Sequence, residues 1–239
     1  MATTFKSFLN NDITSTRTML HERVPITGSI LARTYGSADT AETNIKTYGH
    51  GMFVSVFDYP YLSSSANHIF DISLGFHSTS SLYTATTTAN QKEKKNNIYN
   101  QMAQVLMGYD QDGAIQRFDE DGNITAGGNK LDEVIFLSFS RLLAKDEIKK
   151  GSFKLELGLN TDADPMNSKR AKIEDLGAAT SYKVNSPAGE YGILYIQNDV
   201  GSEVKGDPNA TTTKIPAGLL YYQAGVAVLT ASVFSTGLL

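Results

Sequence analysis

Cysteine is absent from the 239 residues, so disulfides and thiolate chemistry contribute nothing, and both stability and association are non-covalent. Such a composition suits a protein made and assembled in a reducing cytoplasm. A basic surplus is also missing: the formal net charge of -4 leaves no field that would hold nucleic acid. The nearest basic run, Lys92-Glu93-Lys94-Lys95, is broken by an acid and reads as the solvated start of a helix. Residues 1–12 hold no apolar core long enough for a signal peptide, so export by that route is not expected. The four histidines, His21, His50, His68 and His77, form no pair at helical or finger spacing, which argues against zinc. No Gly-x-Ser-x-Gly elbow, phosphate loop or dinucleotide fingerprint occurs. Ser202 and Lys205 have a lactamase-like spacing but sit in a loop without companion motifs, which chance explains.

Charge is missing altogether from residues 215–239, and this stretch organises the reading of the rest. An apolar terminus of that length is a sticky patch unless it is covered. A membrane helix is excluded by content rather than length. Pro216, Gly218, Gln223, Gly225, Thr230 and Ser232 interrupt the run, while Tyr221, Tyr222, Val226, Val228, Val233 and Phe234 favour strands. Two burials remain: a central strand pair of the protein's own core, preferred for residues 219–229, or a tail docked on a neighbouring subunit, with the last ten residues open between them. The stretch also has an echo. Gly192-Ile193-Leu194-Tyr195-Ile196-Gln197 matches Gly218-Leu219-Leu220-Tyr221-Tyr222-Gln223, and Pro-Ala-Gly occurs at or just before both. Two copies are too few for a solenoid and suit two neighbouring strands.

Along the chain, residues 1–35 read as an arm followed by a first strand, with Asn11 and Asp12 as a possible cap, and residues 36–46 as polar loop. Residues 52–57 are apolar at nearly every position, as in a strand covered on both faces. Phe70, Ile72, Leu74 and Phe76 alternate strictly with Asp71, Ser73 and Gly75, the pattern of a half-buried strand. One amphipathic helix is predicted over about 90–107. Asn90 would cap it, Ile98, Met102, Val105 and Leu106 form a core-packing stripe that Tyr99 joins, and Gly108 stops it. Two Asp-Gly turns follow, at residues 110–113 and 119–123. Strands are expected over 134–143 and 153–159, with a link short enough to make them antiparallel neighbours. The sum is a single mainly β domain over 1–239, an antiparallel sandwich or barrel-like core with one helix, an N-terminal arm (about 1–14) and an apolar C-terminal tail (about 225–239).

Calcium is the nearest thing to chemistry, because the acidic turns resemble ligand loops. Counting from Asp119, however, Ile124 takes the glycine position of an EF-hand and Lys130 the glutamate one, and counting from Asp110, Gly113 comes two residues early. Hairpin turns account for the same residues. A glycosidase-type acid pair is neither named nor excluded by 25 acidic residues. No catalytic residue, cofactor, metal or small-molecule substrate is therefore expected.

Three blocks carry a resemblance: residues 53–71 (Phe53-Val54-Ser55-Val56-Phe57-Asp58-Tyr59-Pro60-Tyr61-Leu62 and on to Asp71), 97–106 (Asn97-Ile98-Tyr99-Asn100-Gln101-Met102 and on to Leu106) and 186–195 (Ser186-Pro187-Ala188-Gly189-Glu190-Tyr191 and on to Tyr195). Together they resemble virion structural proteins of contractile-tailed bacteriophages (myoviruses) of marine bacteria, cyanophages among them. The resemblance implies a multicopy, non-enzymatic particle component of the tail or baseplate, with the neck or capsid surface as other addresses. Its partners would be copies of itself and other virion proteins, not nucleic acid or membrane. Arms and tails that reach a neighbour suit such a role. The contacts expected on that basis fall on Phe5, Phe8 and Leu9 of the arm and on Val226, Val228, Val233, Phe234, Leu238 and Leu239 of the tail. An alternative is a glycan- or receptor-binding β-sandwich using Tyr59, Tyr61 and Tyr83 as stacking platforms.

Overall fold

A computed structural model describes residues 34–35, 42–43, 45–57, 68–85, 89–123, 128–140, 147–158, 170–197 and 215–234. Its body is one antiparallel sheet of ten strands: β3 (Ile45–Thr47), β4 (Phe53–Phe57), β5 (His68–Phe76), β6 (Glu133–Phe139), β7 (Lys154–Gly158), β8 (Arg170–Glu174), β9 (Lys183–Ser186), β10 (Gly189–Gln197), β11 (Ile215–Tyr221) and β12 (Val226–Thr230). A separate two-stranded ladder joins β1 (Thr34–Tyr35) to β2 (Glu42–Thr43). Residues 36–46 are thus not all loop. The polar strand β3 is held by pairing with β4, which hydrophobic periodicity could not show. Three helices, α1 (Ser81–Ala85), α2 (Ala89–Leu106) and α3 (Ala178–Ser181), and a 3-10 turn over Ala231–Phe234 complete the described elements. The expected mainly β fold is the one the chain adopts.

The strand order β3-β4-β5-β6-β12-β11-β10-β8-β7, with β9 paired to β10 beyond the end of β8, explains the apolar C-terminal stretch. The chain builds one half of the sheet outward-in from β3 to β6. It then jumps to the far edge at β7 and returns through β8, β10 and β11. The last strand, β12, enters between β11 and β6 and joins the halves, pairing Val228 with Leu219 on one side and with Phe136 on the other. A strand in that position is covered on both faces, so Val226 and Val228 enter the core on one face while Ala227 and Leu229 enter it on the other. Full burial of a valine or leucine is worth roughly 1.5–3 kcal/mol. β12 alone therefore commands a gross term comparable to a domain's whole net stability of about 5–15 kcal/mol.

The echoing strands are neighbours, as their match suggests: Tyr191 lies opposite Tyr221, Ile193 opposite Leu219 and Leu194 opposite Gly218. The expected pairing of the strands now labelled β6 and β7 is not made. β12 occupies the edge of β6, and β7 lies five strands away, paired only with β8 among the described residues. A flat sheet would separate β6 from β7 by about 24 Å at ~4.8 Å per strand. Phe153, which leads into β7, nevertheless meets Phe139 of β6 edge-on at 5.8 Å. The sheet therefore curls, as twisted sheets do on the way to closure, and its inner face encloses Leu137, Ile173, Leu194, Leu220, Tyr222, Leu229 and Val233.

The other face is covered by α2. Gly75 decides where: a methyl carbon there would lie 2.8 Å from the Phe136 ring and 3.1 Å from the Tyr99 backbone, so only glycine lets the helix settle onto β5. The polar side of that alternating strand is consequently the side under the helix. α2 turns Tyr99, Ala103 and Leu106 inward beside Ile98. Val105 lies ~100° from the centre of that stripe at 3.6 residues per turn, and it is exposed rather than in the stripe as expected. The helix opens at Ala89, which puts Asn90 within the first turn instead of at the cap, and it ends at Leu106, with Gly108, φ 81°, as the stop. β4 is covered on both faces only at its end, since Phe53 stays exposed.

Candidate functional site

Three polar clusters are the places where side-chain chemistry could occur, and each was assembled by the fold from distant residues. The first crosses β3, β4 and β5. Register pairs Ser55 with Asp71. The Ser55 hydroxyl donates to Asp71 Oδ1 at 2.5 Å, His68 Nε2 lies 2.8 Å from the same oxygen, and Tyr48 Oη is 3.2 Å from Ser55 Oγ. These are the residue types of a hydrolase triad in the wrong order. Activating a serine requires the imidazole on the hydroxyl and the carboxylate behind the imidazole. Here the carboxylate takes both, and the set ties three strands together.

The second cluster sits where β5 ends and β6 begins. His77 Nδ1 is 2.7 Å from Thr79 Oγ1, and the Thr79 hydroxyl donates to Asp132 Oδ2 at 2.6 Å. Arg117 Nη1 donates to both Asp132 oxygens at 3.1 Å. Burial lowers the His77 pKa and Arg117 adds to the effect, while Asp132 opposes it. Again the hydroxyl is spent on a carboxylate. Alongside, Ser80 and Ser81 both donate to Glu133 Oε1.

The third is Asp175, a buried carboxylate just after β8. It accepts from the backbone N–H of Gly151 at 2.6 Å and of Phe153 at 2.9 Å, and from the Tyr222 hydroxyl at 3.2 Å. Burial pushes its pKa up, against the pull of those donors. Lys150 nearby pairs with Glu190 at 2.5 Å and lies over the Tyr182 and Tyr222 rings. This arrangement fastens the entry of β7 to the centre of the sheet and thereby holds the curl. None of the three sets is visible as a motif. Only the Ser55–Asp71 pair left a trace, as polar residues on otherwise apolar strands.

The acidic turns form as expected. Asp110 Oδ1 accepts from the N–H groups of Asp112 and Ala114, and the buried Asp119 is ion-paired with Lys130. His50 is in a turn and His68 opens β5. Among the described residues no group of three or more metal-type side chains could hold an ion, and no helix is long and apolar enough to cross a membrane. Ser202, Lys205, Tyr59 and Tyr61 lie outside the described residues. Tyr83 packs edge-on against Phe76 and carries the Lys92 ammonium 3.9 Å over its ring, so that face is taken.

The residues expected to touch a neighbour separate into two groups. Phe5, Phe8, Leu9, Leu238 and Leu239 lie outside the described residues, as does the Phe234 side chain. Val226, Val228 and Val233 are buried within the chain's own core, Val226 and Val228 under α2 and Val233 inside the curl. Their place in a neighbour contact is corrected accordingly: β12 needs both of its faces to join the halves of the sheet, which leaves nothing to offer outside.

Exposed apolar side chains occur elsewhere. Val105 is 64 % exposed, Tyr109 52 % and Val184 70 %. Val105 and Tyr109 stand at the end of α2, where the Ser186 hydroxyl donates to the Leu106 carbonyl and Pro187 covers Gly108, and Val184 lies on β9. At the opposite end of α2, Met52 and Phe53 are exposed on a turn that α2 itself holds, with Lys94 Nζ donating to the His50 carbonyl at 3.1 Å and Lys95 Nζ to the Gly51 carbonyl at 2.9 Å. Burial and then the adjacent Lys94 ammonium hold Lys95 below the usual lysine range. The Tyr48 and His50 rings stack beside them at 5.3 Å, and Phe53 meets both at a tilt, 4.9–5.0 Å away. No family model, no curated protein and no solved structure matches the chain.

Proposed function

We propose that this chain is a non-enzymatic structural subunit of a tailed-bacteriophage virion, a tail or baseplate component that assembles through contacts with copies of itself and with other virion proteins. The neck and the capsid surface are the other addresses consistent with the same role. The observation that carries the reading is the exposure of Val105 in the last turn of α2 and of Tyr109 just beyond it, each more than half exposed. Large apolar groups gathered on a surface mark sites of association. The resemblance of residues 53–71, 97–106 and 186–195 to virion structural proteins supplies the setting. Support for the non-enzymatic part comes from the clusters, where hydroxyl protons are committed to carboxylates and tie strands rather than prepare a nucleophile. The test is mass spectrometry of purified particles separated into heads and tails. Recovery in stoichiometric amount with the tail fraction is expected, and absence from both fractions overturns the proposal.

A further inference from the structure

We propose that copies of this chain associate head to tail, the lysine-rich end of α2 on one protomer seating against the two acidic turns at the far end of α2 on the next. This rests on the assembly reading above and names its partner and its surfaces.

Charge is sorted along the helix. Lys46, Lys92, Lys94 and Lys95 outnumber Glu93 at its N-terminal end, and Asp110, Asp112, Glu120 and Asp121 outnumber Lys183 in and beside the turns at its C-terminal end. The turns are drawn together by β9, since Asn185 donates to the Gly122 carbonyl and Ser186 to that of Leu106. Among the described residues none of the eight groups of the prevailing sign is ion-paired. The ends of an 18-residue helix are about 27 Å apart at 1.5 Å per residue. With a screening length of ~8 Å at physiological salt, one end does little to neutralise the other.

The sorting runs against the helix itself. A helix is stabilised by acids at its N-terminus and bases at its C-terminus, yet α2 has no acid in its first turn and no base in its last. Local bonds account for part of this, since Lys94 and Lys95 hold the turn at 50–51 and Asp110 closes its own. Opposite fields offered to another molecule account for the rest.

Each pole also carries its own apolar centre, Met52 and Phe53 at the basic end and Val105 and Tyr109 at the acidic one. Apolar groups inside a charged rim are how a contact patch is built. Opposite poles attract while like poles repel, which excludes a contact of a pole with its own copy. A side-by-side antiparallel pair is disfavoured as well, because the exposed middle of α2 presents Asn97, Gln101 and Gln104 and no apolar stripe to bury. What remains is the end-on, heterologous contact, which propagates into a ring or a filament.

The test uses the full chain and two charge-reversed variants, Lys46→Glu/Lys92→Glu, which keeps the Lys94 and Lys95 bonds to backbone, and Asp112→Lys/Glu120→Lys. Circular dichroism and thermal melts establish that both fold. In sedimentation velocity the wild type should form a concentration-dependent series beyond dimer that shrinks as salt is raised. Each variant alone should associate at least tenfold more weakly, and an equimolar mixture of the two should associate again, because each supplies the pole that the other has lost. A wild type that stops at dimer, or reversals that leave its association unchanged, overturns the pole contact and leaves the assembly reading standing. A wild type that stays monomeric but is present in particles overturns the contact alone. One that is monomeric and absent from particles overturns both.

Discussion

Replacing Gly218 with alanine should unseat the last two strands. Gly218 has φ 155°, and a methyl carbon there would lie 2.0 Å from the Val228 carbonyl oxygen and 2.9 Å from Leu229 Cα. Both are backbone atoms of β12, so no rotamer change relieves the clash and the strands must part. The strain of a non-glycine residue in such a conformation is about 1–3 kcal/mol, and each ladder hydrogen bond lost adds about 0.5–1.5 kcal/mol. With one or two bonds broken at the Gly218–Leu229 pair, the total is about 1.5–6 kcal/mol, by the same two principles. For a chain of this size each kcal/mol moves Tm by about 2–4 °C, so a fall of roughly 3–24 °C is expected. Gly113→Ala is the control. It also has positive φ, 81°, but nothing lies within 4 Å of the added carbon, and it should cost only about 1–2 kcal/mol of backbone strain. Thermal and urea melts followed by tyrosine fluorescence suit both, because the chain has 12 tyrosines and no tryptophan. Equal Tm values for the two variants would refute the placement of β12 on β11 in this register.

Asp175→Ala removes the acceptor of two backbone N–H groups and the Tyr222 hydroxyl. At about 1–3 kcal/mol per stranded buried donor, partly recovered by relaxation, a loss of about 3–5 kcal/mol is expected. Tyr222→Phe removes one of those bonds and should cost about 1 kcal/mol; denaturant midpoints compare them, and equal losses would contradict the clamp. Burial raises the pKa of Tyr99, Tyr191, Tyr221 and Tyr222, that of Tyr191 to about 12. Groups whose folded pKa is raised stabilise the fold fully below their unfolded pKa near 10, and that stability is lost as pH rises through the folded value. Tyrosinate absorbance should therefore show these four ionising together with loss of structure above about pH 10, and smooth titration of all tyrosines without unfolding would contradict their burial.

Much of the sheet was legible, and the reason is local. Alternation reports which side chains share a face, so Phe153, Leu155 and Leu157 against Lys154 marked β7 correctly, and the repeated Gly-x-Leu-Tyr pattern marked β10 and β11 as a pair. Alternation does not report which strand lies alongside. β6 and β7 are close in sequence, but the edge of β6 went to β12, whose two apolar faces complete both cores at once. The same competition explains why Val226 and Val228, on a stretch read as core, and Val233, on one left open, could all be expected at a neighbour: an uncharged run shows that burial is required and says nothing of what covers it. The packing of α2 depended on one missing side chain, at Gly75, and was invisible as periodicity. Asp175 was illegible because its partners are two backbone N–H groups and a tyrosine 47 residues away.

The uncharged strands β11 and β12 lie in the interior of a single chain, and the proposed association falls to the poles of α2. Hydrogen exchange on the dilute monomer, repeated after association at high concentration, tests that division directly. The amides of β11 and β12 should be among the slowest to exchange in the monomer and should not change on association, while those of 48–53 and 109–122 should slow. Rapid exchange of β12 in the monomer, with protection gained only on association, would contradict it.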